Sequence, residues 1–166
     1  PKASDSYGRV VNSSHFDRLQ KIVEPSKVIM SSPSVREENF MAPTVMKDVS
    51  WSDRVMEEEI FGPVLPLMPY SNLDELIRNV QARPKPLALY LFSTDGGVQE
   101  KVLSNLSYGG ACVNDTMVHL TNPHLPFGGV GESGVGSYHG RQSFDLFSHK
   151  KSVMMKPFWG DATMRY

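Results

Sequence analysis

VLPLMPYSNLDELIRNVQARPKPLALYLFSTDGGVQEKVLSNLSYGGACV, residues 64 to 113, alternates strand and helix signals more regularly than any other part of the chain. Residues 64–70 have strand character, and Pro66 and Pro69, which carry no backbone donor, put that strand at an edge or in irregular pairing. Ser71-Asn72 can cap a helix over 73–83, where Leu73, Leu76, Ile77 and Val80 share one face. Pro84 and Pro86 end that helix, and 87–92 is an almost unbroken apolar strand. The turn Asp95-Gly96-Gly97 leads into a second helix near 98–107, which Gly109-Gly110 terminates. Ala111-Cys112-Val113 makes a third short strand. Strand, helix, strand, helix, strand predicts an α/β protein with three layers, a largely parallel sheet and right-handed βαβ crossovers.

Toward the N-terminus, Ser13-Ser14 can cap a helix over 15–24 that puts Phe16, Leu19, Ile22 and Val23 on one face before Pro25 stops it. Residues 28–30 are a short strand candidate, 31–39 a polar loop, and 40–49 strand-like but broken by Pro43. After Asn114 the pattern dissolves into a Pro- and Gly-rich loop, with a short helix expected within 138–147. Residues 151–156 read as a last strand, exposed enough to pair outside the domain. Neither an internal repeat nor a low-complexity segment is present.

With 166 residues, 40% of them hydrophobic, the chain can bury a core. Seventeen basic against eighteen acidic side chains leave a formal charge of −1, no electrostatic footprint for nucleic acid or an anionic membrane. No apolar run approaches the ~20 residues that span a bilayer. A single cysteine, Cys112, makes no internal disulfide, so a reducing, cytoplasmic setting is expected. The start, Pro1-Lys2-Ala3-Ser4-Asp5, has neither an initiator methionine nor an apolar signal core, and the chain is expected to be a piece of a longer one.

Several patterns touch on chemistry. Glu57-Glu58-Glu59 runs straight into Ile60-Phe61-Gly62-Pro63; carboxylates beside a Phe at such a break can hold a sugar hydroxyl and cover a flat ring, or simply form a solvated acidic turn. Residues 129–134 match G-x-G-x-x-G, but no central strand precedes them and Gly136 and Gly140 prevent a clean helix start. They read as a glycine-permitted loop rather than a dinucleotide fingerprint. Cys112 is the only thiol, yet it sits in an apolar strand without a neighbouring basic residue, and reads as a small core residue. The five histidines show no zinc spacing, and no metal site is expected. His139, flanked by Ser137-Tyr138 and Gly140, is the histidine best placed for close approach. There is no G-x-S-x-G elbow.

Taken together, Glu58-Glu59-Ile60-Phe61-Gly62-Pro63 resembles the signature of the aldehyde dehydrogenases, and it has company. Met41-Ala42-Pro43-Thr44-Val45 lies upstream; Lys85-Pro86-Leu87-Ala88-Leu89-Tyr90 and Phe92-Ser93 follow. Then come Gly109-Gly110, Val113-Asn114-Asp115 and Leu125-Pro126-Phe127-Gly128-Gly129-Val130-Gly131. Gly136-Ser137-Tyr138-His139-Gly140, with Ser143-Phe144-Asp145 and Phe147-Ser148-His149, resembles the class 3, fatty and aromatic aldehyde branch. The likeness runs from about Tyr7 to Tyr166.

The resemblance implies an NAD(P)+-dependent enzyme that oxidises aldehydes to acids through a cysteine thiolate, an amide-bounded oxyanion site and a glutamate-activated water. It assigns Glu59 to the nicotinamide ribose and Phe61 to packing beside it. Met117, Leu120 and Thr121 would line the aldehyde pocket, with Phe127 and His139 nearby, suiting aromatic or medium- to long-chain aldehydes. It implies that 1–149 are the C-terminal part of the catalytic domain, that 150–157 are a bridging strand for a homodimer, and that 158–166 are a tail. The nucleophile, the oxyanion Asn, the general-base Glu and the Rossmann domain are implied to lie upstream, so this stretch has no catalytic residue of its own and is expected to be inactive alone. The rival expectation is a non-catalytic dimerisation module derived from the same fold.

Overall fold

The computed structural model describes residues 1–157. They form two compact units, Pro1–Ser71 and the residues from Asn72 onward.

The first unit is built on α1 (Ser13–Ile22). Its cap is Asn12, one residue ahead of the serines: Asn12 is extended, and its Oδ1 accepts the His15 N–H at 2.8 Å. The helix stops two residues short of the expected end because Val23 and Glu24 are already extended, as the residue before a proline prefers. Phe16, Leu19 and Ile22 point into the core, where they meet Met41, Met46, Val49, Val55 and Val64. Beside the helix lies a three-stranded sheet in the order β1 (Val28–Met30), β2 (Thr44–Met46), β3 (Val64–Pro66). β1 is antiparallel to β2, and β3 is parallel to it with Thr44 opposite Val64 and Met46 opposite Pro66. The strand expected over 40–49 survives only after Pro43. The strand expected over 64–70 is likewise cut to three residues, on the sheet edge where a proline is tolerated.

An ion pair fixes the approach to the acidic turn. The Lys27 ammonium donates to the Asp53 carboxylate, which also accepts the Ser50 N–H at 3.0 Å and the Ser50 hydroxyl at 2.8 Å. Lys27 first, then Ser50, hold the Asp53 carboxyl down to about 2. A depressed carboxyl contributes its stability above the ordinary value and loses it as pH falls toward the folded value. The urea midpoint of the chain should therefore drop between pH 4 and pH 2, and Asp53→Asn should flatten that part of the profile. A profile of equal steepness in the variant would show that other carboxylates set the acid limit.

The second unit opens with α2 (Leu73–Gln81), capped by Asn72, whose Oδ1 accepts the Glu75 N–H at 3.1 Å. β4 (Ala88–Leu91), α3 (Gly96–Asn105) and β5 (Gly110–Val113) follow. Asp95 caps α3 through the Gly97 and Val98 N–H groups at 2.8 and 3.1 Å, so the helix begins inside the expected Gly turn. β4 and β5 are parallel, with Ala88 opposite Gly110 and Tyr90 opposite Cys112. The α/β class and the β4–α3–β5 crossover match the expectation. The strands form a three-stranded mixed sheet in the first unit and a two-stranded parallel sheet in the second. Pro66 removes a donor from β3, which leaves it a poor template for a further strand.

Beyond β5 come α4 (Val118–Thr121) and α5 (Gly140–Leu146). The G-x-G-x-x-G segment forms a single 3-10 turn at Gly131–Ser133 with Gly131 at φ +66, not a helix N-terminus after a strand. Residues 151–157 form no strand within the chain by itself, and Val153, Met154 and Met155 are 72, 92 and 90% exposed. A strand exists only as part of a ladder, so an isolated chain cannot display one there. The tail assigned to 158–166 lies outside the described residues.

Candidate functional site

The acidic turn in the first unit is held from α1. Arg18 donates from one terminal nitrogen to the Glu58 carboxylate and from the other to the Ile60 carbonyl. Its Nε–H donates to His15 Nδ1 at 3.2 Å, which leaves the proton of a neutral His15 on Nε2. That Nε2–H donates to the Phe61 carbonyl at 2.8 Å. One helix face thus grips three successive stations of the turn, Glu58, Ile60 and Phe61.

The grip explains the backbone. Phe61 lies at φ +51, a conformation a bulky side chain rarely adopts and that must be held by its surroundings. Directly after it, Gly62 sits so close to α1 that an added Cβ would come within 2.6 Å of both Leu19 methyls. The outcome is a Phe61 ring that is 75% exposed although the residues under it are core. Glu59 is also exposed and has no ion pair among the described residues, whereas Glu58 is engaged by Arg18. A cleft of about 250 Å³ runs beside the ring, with Tyr7, Arg9, Met41, Phe61 and Pro63 among its walls. An exposed carboxylate next to an outward aromatic ring suits a ligand that joins a vicinal diol to a flat ring.

In the second unit the expected pocket residues gather on α4 and the loop after it. Met117 is exposed and left-handed at φ +66; Leu120 is half-buried, and Thr121 is exposed with its hydroxyl donating to the Val118 carbonyl at 3.0 Å. Phe127 and Tyr138 form an isolated antiparallel bridge, their rings edge to face at 5.7 Å. That bridge brings Phe127 and His139 together, stacked with centroids 5.9 Å apart. His139 has φ +91, and its buried Nδ1 has no hydrogen-bond partner among the described residues.

Three features escaped sequence reasoning. The His15–Arg18 grip is invisible because it crosses forty or more positions of chain. Tyr90 read only as a strand residue, but its hydroxyl donates to Met117 Sδ at 3.4 Å. Cys112 has no histidine next to it in sequence, yet its Sγ lies 3.2 Å from His119 Nδ1, and both residues are buried. The available signal was the strand alternation, which turns Cys112 inward between Ala111 and Val113. Among the described residues no group of three or more His, Cys, Asp or Glu could hold a metal ion, and no helix is long and apolar enough to cross a membrane.

The model of the aldehyde dehydrogenase family matches residues 2–153. The chain is 46% identical over its whole length to aldehyde dehydrogenase family 3 member H1 of Arabidopsis thaliana, of which it covers 35%. It is 46% identical over 92% of its length to the 4,4'-diaponeurosporen-aldehyde dehydrogenase of Staphylococcus aureus, covering 34% of that protein. The bovine dimeric NADP-preferring aldehyde dehydrogenase is 44% identical, with 99% of this chain and 69% of the relative covered. Among solved structures, the substrate-bound Staphylococcus aureus AldH superposes with a TM-score of 0.91 at 44% identity, over 97% of this chain and 36% of that one. The Pseudomonas syringae AldC variant complexed with NAD+ and octanal gives 0.72 at 30% identity, over 84% and 30%. The chain thus spans about a third of the length of most of these proteins. With a family match across nearly all of its residues, this chain belongs to the aldehyde dehydrogenase family.

Proposed function

We propose that the chain is the C-terminal part of the catalytic domain of an NAD(P)+-dependent aldehyde dehydrogenase acting in the cytoplasm. In this reading it supplies the nicotinamide-ribose contact and part of the aldehyde pocket but not the nucleophile. The observation that carries it is the turn at 58–62, where a strained backbone is held so that Phe61 faces outward beside an unpaired Glu59.

The residues present fit a nicotinamide riboside. Glu59 can accept hydrogen bonds from two vicinal ribose hydroxyls, and Phe61 offers a flat apolar face to the ring. When bound, the dinucleotide supplies the hydride acceptor. The chain's part is to orient it: His15 and Arg18 fix the turn, the turn fixes Phe61 and Glu59, and little reorganisation remains at the moment of reaction. Met117, Leu120 and Thr121, with Phe127 and His139, form one wall of the aldehyde pocket. The apolar members, Met117, Leu120 and Phe127, favour an aromatic or a medium- to long-chain aldehyde over a small hydrated one. The nucleophilic cysteine, the oxyanion amide and the general base come from the part of the enzyme preceding these residues, so the 166-residue chain alone is inactive. Residues 150–157 pair with a second copy to make a homodimer, which would cover Val153, Met154 and Met155.

In the intact enzyme, Glu59→Gln keeps the size of the side chain but removes the charge that anchors the ribose. It should slow NAD(P)H formation and raise the KM for the dinucleotide by roughly tenfold, the scale of one charge-assisted hydrogen bond. Its thermal midpoint should match that of the parent. Unchanged KM and turnover would remove Glu59 from the site.

A further inference from the structure

Tyr90 on β4 and Cys112 on β5 are direct partners across the parallel pair, and both reach the segment that follows β5. Tyr90 donates its hydroxyl to Met117 Sδ at 3.4 Å and meets the His119 ring edge-on, centroids 5.9 Å apart. Cys112 Sγ lies 3.2 Å from His119 Nδ1; these two residues are 8 and 7% exposed, so the contact is shielded from water. Gly110, at the start of β5, closes a third side: a Cβ there would sit 2.8 Å from His119 Cδ2. The imidazole is therefore seated against three residues of the two strands.

What it anchors cannot hold itself. α4 has four residues, far below the length at which a helix is stable by its own hydrogen bonds. Met117, which precedes it, is left-handed at φ +66. The bonds within the segment, Leu120 N–H to the Met117 carbonyl at 2.9 Å and the Thr121 hydroxyl to the Val118 carbonyl at 3.0 Å, are local, so its placement on the strands depends on the seat under His119.

We propose that Tyr90, Cys112 and His119 are positioning residues that fix segment 117–121 and through it set which aldehydes are accepted, an inference that rests on the pocket assignment made above. They act through Met117, Leu120 and Thr121 and take no part in bond making. The role of the thiol is a buried hydrogen bond, and its burial keeps it out of nucleophilic chemistry. Long aldehydes, which lie along the pocket wall, feel a displaced segment; short ones do not reach it.

The test is a steady-state comparison of propanal and octanal oxidation by the intact enzyme. Cys112→Ala should raise the KM for octanal by roughly five- to tenfold, as loss of one buried hydrogen bond allows, with kcat for propanal held within about twofold. Cys112→Ser, which can still donate to His119 Nδ1, should restore the octanal KM. Should Cys112→Ala prove too unstable to purify, Tyr90→Phe removes only the hydroxyl and should raise the octanal KM by about two- to threefold. An octanal KM that stays put in the variants, or one that rises equally for propanal and is not restored by serine, overturns the proposal. A parent enzyme without any NAD(P)+-dependent aldehyde oxidation would instead overturn the functional reading. The seat is then judged by amide hydrogen exchange: faster exchange at 117–121 in Cys112→Ala but not in Cys112→Ser supports it, and equal exchange rejects it.

Discussion

Leu19→Ala should unfold the first unit more readily than any surface change, lowering its stability by about 2–5 kcal/mol. Leu19 is 0% exposed, and its two methyls lie directly under Gly62. Truncation loses the burial of the removed methyl groups and leaves a cavity that α1 and the turn cannot both close. Set against the ~5–15 kcal/mol by which domains are stable, that is a large fraction. It also removes the floor of the Phe61 turn, so the ring should lose its fixed outward pose. Urea unfolding of the chain followed by circular dichroism reads the first effect. Leu19→Met is the control: it keeps the volume and should cost under about 1.5 kcal/mol. A loss below about 1 kcal/mol in Leu19→Ala would mean the helix is not seated on the turn as described.

Arg18→Ala is the second large effect, and here stability and binding should move together. The guanidinium holds the Glu58 carboxylate and the Ile60 carbonyl, and its Nε–H sets the tautomer through which His15 reaches Phe61. The Glu58 contact is half in water and contributes at most about 1 kcal/mol. The carbonyl and the imidazole matter more, because an ionised donor to a partly buried acceptor is worth about 1.5–3 kcal/mol. Arg18→Ala should therefore cost about 2 kcal/mol of stability. If the turn presents the cofactor contacts, it should also weaken NAD(P)H binding to the intact enzyme by roughly tenfold, the binding equivalent of ~1.4 kcal/mol. Arg18→Lys should rescue little, since a single ammonium cannot serve three acceptors in fixed directions. A destabilised variant that binds the dinucleotide normally would show that the clamp supports the fold and not the site.

The chain reveals its local structure far more readily than its site. Apolar spacing exposed α1, α2, β4 and β5, because burial of one face writes a period into the sequence. The errors were of two physical kinds. Helix starts were misplaced where an asparagine competed with serine for the cap, at Asn12 ahead of Ser13 and Ser14. Strands are shorter than their apolar runs suggest where a proline interrupts pairing, after Pro43 and at Pro66. For the proposed site, motif resemblance points to Glu59, Phe61, Met117 and His139, all exposed or half-buried. It does not point to His15, Arg18 or Tyr90, which reach the turn at 58–61 and Met117 from elements remote in sequence. No periodicity marks a side chain whose task is to hold another element's carbonyl or ring.

The cofactor role of the turn requires Phe61 to face the dinucleotide, and NAD(P)H fluorescence titration of the intact enzyme against its Phe61→Ala variant measures that contact. Loss of an aromatic face against the nicotinamide should weaken binding by roughly fivefold to tenfold, on the scale of about 1 kcal/mol for a ring contact. Affinity identical in the two proteins would mean that the outward ring serves something other than the cofactor, and the turn at 58–62 would lose its assigned purpose.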